Sequence, residues 1–424
     1  MKTLYQRWRG INFVMRLAIV LILGTVLGVL FPNVKLISLL GEMFVNALKV
    51  IAPILVFVLV VSALASARAK TSISLILVLY AISTLSAALV AAIVSLAFPV
   101  KLTLVDASVR NAPNGIADVL NNLLHNAVDN PVMALATSNY LAILTWAILL
   151  GIALRYSNDT TKTVITNISS ALAIIVRWII SLAPIGILAL TYTAVSSSGL
   201  SVFGEYVQLV LLLVGAMALV ALALNPLIVY IVLGQNPYPL VFQCLKESGL
   251  TAFFTRSSAA NIPINLEFCR RLGLDRDTYA LSIPLGATIN MAGATVTVVI
   301  MAMAAVHTTG LAIDLPTAII LSMLAAVAAL GASGVPGGSL LLIPLACSLF
   351  DIGNDVAMQV VAIGFIIGVI QDSCETVLNS SSDVLFTATA EYRKRQRAGK
   401  AFKVELAPPT LAHTLPELEG ADNW

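Results

Sequence analysis

The chain runs to 424 residues, of which 59% are hydrophobic and only 11% charged, whereas an ordinary soluble domain is about a quarter charged. That balance excludes a soluble globular protein and calls for several apolar spans packed together, each of about 20 residues and able to cross a hydrocarbon core of about 30 Å. With 24 basic residues nearly cancelling 21 acidic ones, net charge excludes little, and the placement of the charges is what informs.

Basic residues precede the first apolar run, as in a signal peptide. No small-residue cleavage site closes that run and further spans follow, so the first helix is read as retained. Spans are predicted near residues 13–31, 36–64, 73–98, 132–154, 168–194 and 206–233. Between them, residues 99–131 are rich in Asn, Asp and Pro and read as a long loop outside the membrane. The cysteines, Cys244, Cys269, Cys347 and Cys374, lack paired or metal-type spacing and read as small core hydrophobes.

Lys and Arg collect in short cytoplasmic loops. Placing the N-terminus inside puts Lys2, Arg7, Arg9, Arg68, Lys70, Arg155, Lys162, Lys246, Arg270, Arg271, Arg276 and the tail over 393–403 on the cytoplasmic side; only Lys35, Lys101 and Arg110 face the other way. The pattern closes only if residues 233–278 and 315–352 each enter the membrane and return on the same side. Each is predicted as a re-entrant hairpin, broken by TRSSAANIP (255–263) in the first and GASGVPGG (331–338) in the second. Non-helical backbone at that depth is tolerated where protein or a water-filled cavity satisfies it, and a pair of interrupted segments points to a midplane binding site.

The last span, over 356–390, carries Asp372, Glu375, Thr376, Asn379 and Asp383. At about 100° per residue these fall on one face of a straight helix. A carboxylate at the centre of a span costs about 2.5–3.5 kcal/mol on insertion scales, so such residues mark an ion or substrate pathway. Their complements are a hard cation, an ammonium group, or Arg256 in the first hairpin tip; a free amino acid has both ends this face needs. The seventh span supplies SIPLGATINMAGAT (282–295), where Pro284 and Gly286 are expected to loosen the helix and Asn290 lies mid-membrane. Freed carbonyls with an Asp and an Asn make an all-oxygen site for a hard monovalent cation.

Taken in order, TRSSAANIP, GATINMAG, GVPGG and QDSCETVLNSSSD resemble the dicarboxylate/amino acid:cation symporter family, and most closely its bacterial sodium/serine-threonine branch, over about residues 13–390. The resemblance implies an all-α, polytopic, glutamate-transporter-like membrane protein with eight transmembrane helices plus two re-entrant helical hairpins. Residues 1–235 would be six N-terminal helices, mostly scaffold; 236–392 a transport core; and 393–424 a basic cytoplasmic tail. It further implies a homotrimer in the inner membrane of a bacterium, both termini cytoplasmic, importing serine or threonine with Na+ by an elevator-type movement. Carried over by position, Asp372 with Thr376 takes the substrate ammonium, Asn379 with Ser257 and Ser258 its carboxylate, and Val335, Pro336 and Gly337 form the outer gate. Gly286, Asn290, Asn379 and Asp383 form one sodium site, and the backbone of Thr288, Ala329, Leu330 and Ala332 a second.

Two positions depart from the acidic-substrate members. Glu375 stands where they carry Arg, so a side-chain carboxylate would be repelled while a hydroxyl could donate to Glu375. Ala292 stands where they carry Asp, which leaves Tyr80, Ser83 and Thr84 without an anionic partner and implies fewer coupled sodium ions. Other small neutral amino acids are the alternative cargo. The string Gly331-Ala332-Ser333-Gly334 also matches the GxSG of intramembrane proteases, but His125 and His307 are expected in external loops and His413 in the tail, so Ser333 lacks a base. A passive channel would share the polar interior without needing a closing hairpin. The basic run over 393–403 sits where anionic lipid is the simpler partner than nucleic acid.

Overall fold

The computed structural model describes residues 13–66, 73–104, 124–311, 313–330, 332 and 336–399, and among them every regular element is helical. Six of these helices are long and apolar enough to cross a membrane, and four shorter apolar helices accompany them. The first half comprises α1 (Phe13–Leu30), α2 (Lys35–Ser66), α3 (Ser74–Ala97), α4 (Pro131–Thr137), α5 (Tyr140–Leu154), α6 (Asp159–Ser181), α7 (Ala183–Ser198) and α8 (Val202–Leu219). A π turn (Val220–Leu224) leads from α8 into α9 (Asn225–Leu233). Gly234, at a left-handed φ of 67°, ends α9.

The first interrupted segment is α10 (Tyr238–Cys244), a π turn (Leu245–Gly249) and α11 (Leu250–Thr255), then a tip and α12 (Ile262–Arg271). After it come α13 (Arg276–Ile289) and α14 (Ala292–Thr309). The second interrupted segment is α15 (Leu315–Ala329), its tip, a 3₁₀ turn (Ser339–Leu342) and α16 (Ile343–Ser348); α17 (Asn354–Arg397) closes the described chain. Asp275 caps α13 by accepting from Thr278 N at 3.2 Å, and Asp314 caps α15 from Thr317 N at 3.0 Å.

Several spans differ from the sequence expectation, each for a local reason. The span expected over 132–154 is two helices: Ser138 takes a left-handed φ of 58°, and the Asn139 side chain restarts the helix by accepting from Ala142 N. The span expected over 168–194 is also two. Its polar opening, Asp159-Thr160-Thr161-Lys162, reads as loop but is the first turn of α6, capped by Asn158. Pro184 stands in the first turn of α7, the one place in a helix where its missing N–H removes no bond. In the seventh span, Pro284 lies inside α13 and the break falls instead at Asn290 and Met291. His307, expected in a loop, sits in the last turn of α14. The terminal helix continues through Arg397, so the basic tail begins as helix. Val335, Ser333 and His413 lie outside the described residues.

Packing sorts the helices into two groups. In one, α1 lies on α7, and α2 lies on α5, α6 and α7; in the other, α3 packs on α14 and α15, while α8, α9, α13 and α14 pack on α17. The buried hydrophobic residues form two clusters. The smaller joins the start of α3 to α9, α10, α12, α13 and the end of α17; the larger fills the remainder. The polar face of α17 is enclosed by α13, α14 and both interrupted segments.

Candidate functional site

Asp372, Glu375, Thr376, Asn379 and Asp383 are all buried on α17, and each meets a different neighbour down the helix. At the upper end, Arg256 grips one oxygen of Asp372: Nε donates to Oδ2 at 2.8 Å and Nη2 lies 2.7 Å from the same atom. The other oxygen, Oδ1, accepts from Gly337 N at 3.2 Å. Both tips therefore close on one carboxylate. Arg256 reaches it because it holds a left-handed φ of 52° at the end of α11, which turns the chain sharply out of the helix. A cleft of about 10 Å³, the size of one water, opens beside Arg256, Asp372, Pro336 and Gly337 toward Ile180 and Ile187.

Ser258 is buried in the first tip, and the Ser257 hydroxyl accepts from Ala260 N at 3.2 Å. The Thr376 hydroxyl donates to Asp372 O, one turn back along α17, at 2.8 Å. Asn379 uses its side-chain oxygen to accept from Gly293 N at 2.7 Å. That contact needs glycine: a Cβ on Gly293 would lie 2.6 Å from Glu375 O.

Glu375 sits among hydroxyls. Its Oε2 accepts from Thr297 Oγ1 at 2.8 Å, Ser339 Oγ at 2.7 Å and Gln371 Nε2 at 2.5 Å. Ser339 follows the second tip, so this carboxylate, like Asp372, ties the tip to α17.

Asp383 lies deeper. Asn290 Nδ2 donates to Asp383 Oδ1 at 2.9 Å and to Ser382 Oγ at 2.7 Å, and is 3.3 Å from Asn379 O. This use of the Asn290 side chain accompanies the break between α13 and α14. Gly286 lies so close that a Cβ there would stand 2.5 Å from Asp383 Oδ1 and 2.7 Å from the Tyr80 hydroxyl. Asp383 Oδ2 and Asn290 Oδ1 are buried with no hydrogen-bond partner. Two unpartnered acceptors beside a buried carboxylate suit a hard, oxygen-seeking cation. Gly286, Asn290, Asn379 and Asp383 thus come together.

Around Tyr80 the partners are neutral: its hydroxyl donates to the backbone carbonyl of Asp383 at 3.2 Å, Ser83 donates to Asn225 Oδ1 at 2.9 Å, and Thr84 Oγ1 is left unpaired. Thr288 Oγ1 donates to Leu285 O at 2.8 Å, and past the end of α15 the Ala329 carbonyl accepts from Ala332 N at 2.9 Å.

The sequence reading passed over Gln371, Thr297 and Ser339 around Glu375. It also missed a buried knot in which Asn261 Nδ2 reaches Ser380 Oγ at 2.8 Å and Ser248 O at 3.1 Å, and Asn265 Nδ2 reaches Ser380 O at 3.1 Å. The available signal was a polar side chain inside an apolar run, the same one that drew attention to Asn290.

A family model described as the sodium:dicarboxylate symporter family matches residues 13–392. Three curated relatives, each named a serine/threonine transporter, SstT, come from Streptococcus agalactiae strains NEM316, A909 and 2603 V/R. Each is 54% identical over 395 residues, covering 92% of this chain and 98% of the relative. Helices of membrane-crossing length, buried carboxylates and this match agree: the chain is a polytopic membrane protein belonging to the sodium:dicarboxylate symporter family.

Proposed function

We propose that this protein carries serine and threonine into a bacterial cell with sodium. The observation that carries the reading is the pair of buried carboxylates on α17: Asp372 beneath two interrupted tips with a guanidinium as counter-charge, and Asp383, whose own Oδ2 and the Asn290 Oδ1 beside it are unpartnered. An amino acid's ammonium can replace Arg256 on Asp372, and a sodium ion can fill the oxygen set at Asp383. The name shared by the relatives supports the cargo.

In this reading Asp372 and Thr376 hold the ammonium, and Asn379, Ser257 and Ser258 the carboxylate. Val335 and Gly337 close the second tip over both. One sodium ion binds among Gly286, Asn290, Asn379 and Asp383, and a second on the carbonyls of Thr288, Ala329, Leu330 and Ala332. Glu375 accepts the cargo's hydroxyl. The 10 Å³ cleft is too small for an amino acid, so entry requires a tip to lift; for the second tip this breaks, among the described residues, the Gly337 and Ser339 bonds to α17.

The finer architecture is eight spans with two re-entrant hairpins, cytoplasmic termini, and a homotrimer in the inner membrane. In the elevator movement we assign α1, α2 and α5 to α7 to the static scaffold. The moving unit takes in α3, α8 and α9 together with the core after residue 235, because those helices pack on α14, α15 and α17.

Radiolabelled serine uptake into proteoliposomes, with sodium, potassium and proton gradients imposed in turn, tests the reading. Accumulation against a serine gradient is expected with sodium alone, blocked by threonine and not by aspartate. Uptake that only equilibrates would mean a channel. Block by aspartate as strong as that by threonine would remove Glu375 from the specificity site, and a reversal potential giving three sodium ions per serine would contradict the reduced coupling expected from Ala292.

A further inference from the structure

We propose that Gln371 sets cargo selectivity from behind Glu375, its side-chain amide fixing one carboxylate oxygen so that the other is presented to a hydroxyl on the cargo. The inference rests on the reading that Glu375 accepts that hydroxyl, and it adds the positioning residue that makes the reading stereochemically definite.

Gln371 is fully buried and lies one helical turn before Glu375, on the same side of α17. Its Nε2 donates to Glu375 Oε2 at 2.5 Å and to Thr297 Oγ1 at 2.7 Å, using both amide hydrogens. Thr297 and Ser339 donate to the same Oε2. Three donors converge on one oxygen, which saturates it and leaves Oε1 without a donor among the described residues. The reversed amide would turn its own oxygen onto the carboxylate, so charge fixes its orientation.

The cost of this arrangement is visible at the other end of the amide. Gln371 Oε1 is buried with no partner, and a buried acceptor left unpaired is destabilising. An apolar side chain of the same length would avoid that penalty. The amide is therefore placed for what Nε2 does, which is to hold the carboxylate plane still. A fixed Oε1 accepts one O–H from serine or threonine; alanine leaves it unpaired, and a site built to bond a hydroxyl discriminates strongly against an analogue lacking one.

The test is competition of unlabelled serine, threonine and alanine against radiolabelled serine uptake by the full-length protein in proteoliposomes. For Gln371→Met the preference for serine over alanine is expected to fall about tenfold, the equivalent of one charge-assisted hydrogen bond, through weaker serine binding with alanine binding unchanged. Thr297→Val should do the same and Thr297→Ser should retain the preference; if Gln371→Met does not reach the membrane, this pair carries the test. Equal losses for serine and alanine would make Gln371 structural and overturn the proposal. Glu375→Gln separates the two levels. Should that variant keep the preference, the hydroxyl reading itself fails; should it lose the preference while Gln371→Met and Thr297→Val keep it, only the role of Gln371 and its partner falls.

Discussion

Helix α6 and the α13–α14 segment are both apolar enough to cross a membrane, yet the first is barely covered by protein and the second is almost wholly enclosed. Hydropathy says that both tolerate an apolar medium and leaves open which medium covers them. In a bilayer, lipid tails are as apolar as leucine, so no hydrophobic drive distinguishes the lipid-facing helix from the enclosed one. Polar pairing does. The enclosed segment holds Asn290, Thr297 and Ser282, each bonded to α17 at Asp383, Glu375 or Thr387. In α6, by contrast, Thr163 and Thr166 return their hydroxyls to their own backbone. A segment with protein on all sides is where intramembrane chemistry can be built.

Substitutions that remove partners from the enclosed group should break this contrast most severely. Asp383→Asn and Asp372→Asn are each expected to lower sodium-driven serine accumulation by roughly 100-fold or more, since Asp372 loses its charge opposite Arg256, a change that costs about 3–5 kcal/mol, and Asp383 loses the charge proposed to hold sodium; uptake by variants that elute as the folded protein on size-exclusion checks this. Gly286→Ala forces a methyl against Asp383 Oδ1 and should raise the sodium concentration for half-maximal uptake roughly tenfold, an overpacking cost of about 1–3 kcal/mol. Asn261→Ala removes the donor to Ser248 O, Ser248 Oγ and Ser380 Oγ and should lower stability by about 1–3 kcal/mol, read as a fall in melting temperature in detergent. Ile174→Ala, on the half-open face of α6, should change stability by less than about 0.5 kcal/mol. A larger effect there would place a protein partner, such as a second copy, over α6.

Much of this was legible from the letters alone. The stripe Asp372, Glu375, Thr376, Asn379 and Asp383 follows from helical spacing, and both tips announce themselves through Gly, Pro and Ser in otherwise apolar runs. Two kinds of feature were not legible. Helix breaks at Ser138 and Leu182 depend on single residues whose backbone geometry is set by neighbours, and a hydropathy window averages across them. The donors on Glu375 come from α14, α17 and the segment after the second tip, separated by up to 78 positions in sequence, so no local pattern could join them. The loosening expected at Pro284 and Gly286 falls instead at Asn290 for a related reason. Proline signals a weak point locally, whereas Asn290 leaves the helix beside a partner more than ninety positions away, Asp383.

The π turn at Leu245–Gly249 has a consequence for the first tip. Its widened loop, in which Leu250 N reaches back to Leu245 O, fits one residue more than an α-helical turn holds. Deleting that surplus residue would restore an α-helical turn and leave its flanks in register, whereas deleting one residue from α11 would rotate everything beyond it by about 100°. Arg256 would swing off Asp372, and the Asn261 knot would lose its register with Ser380. The aim of the guanidinium is thus set by the number of residues in the stalk, and the π turn takes up the surplus one without turning it.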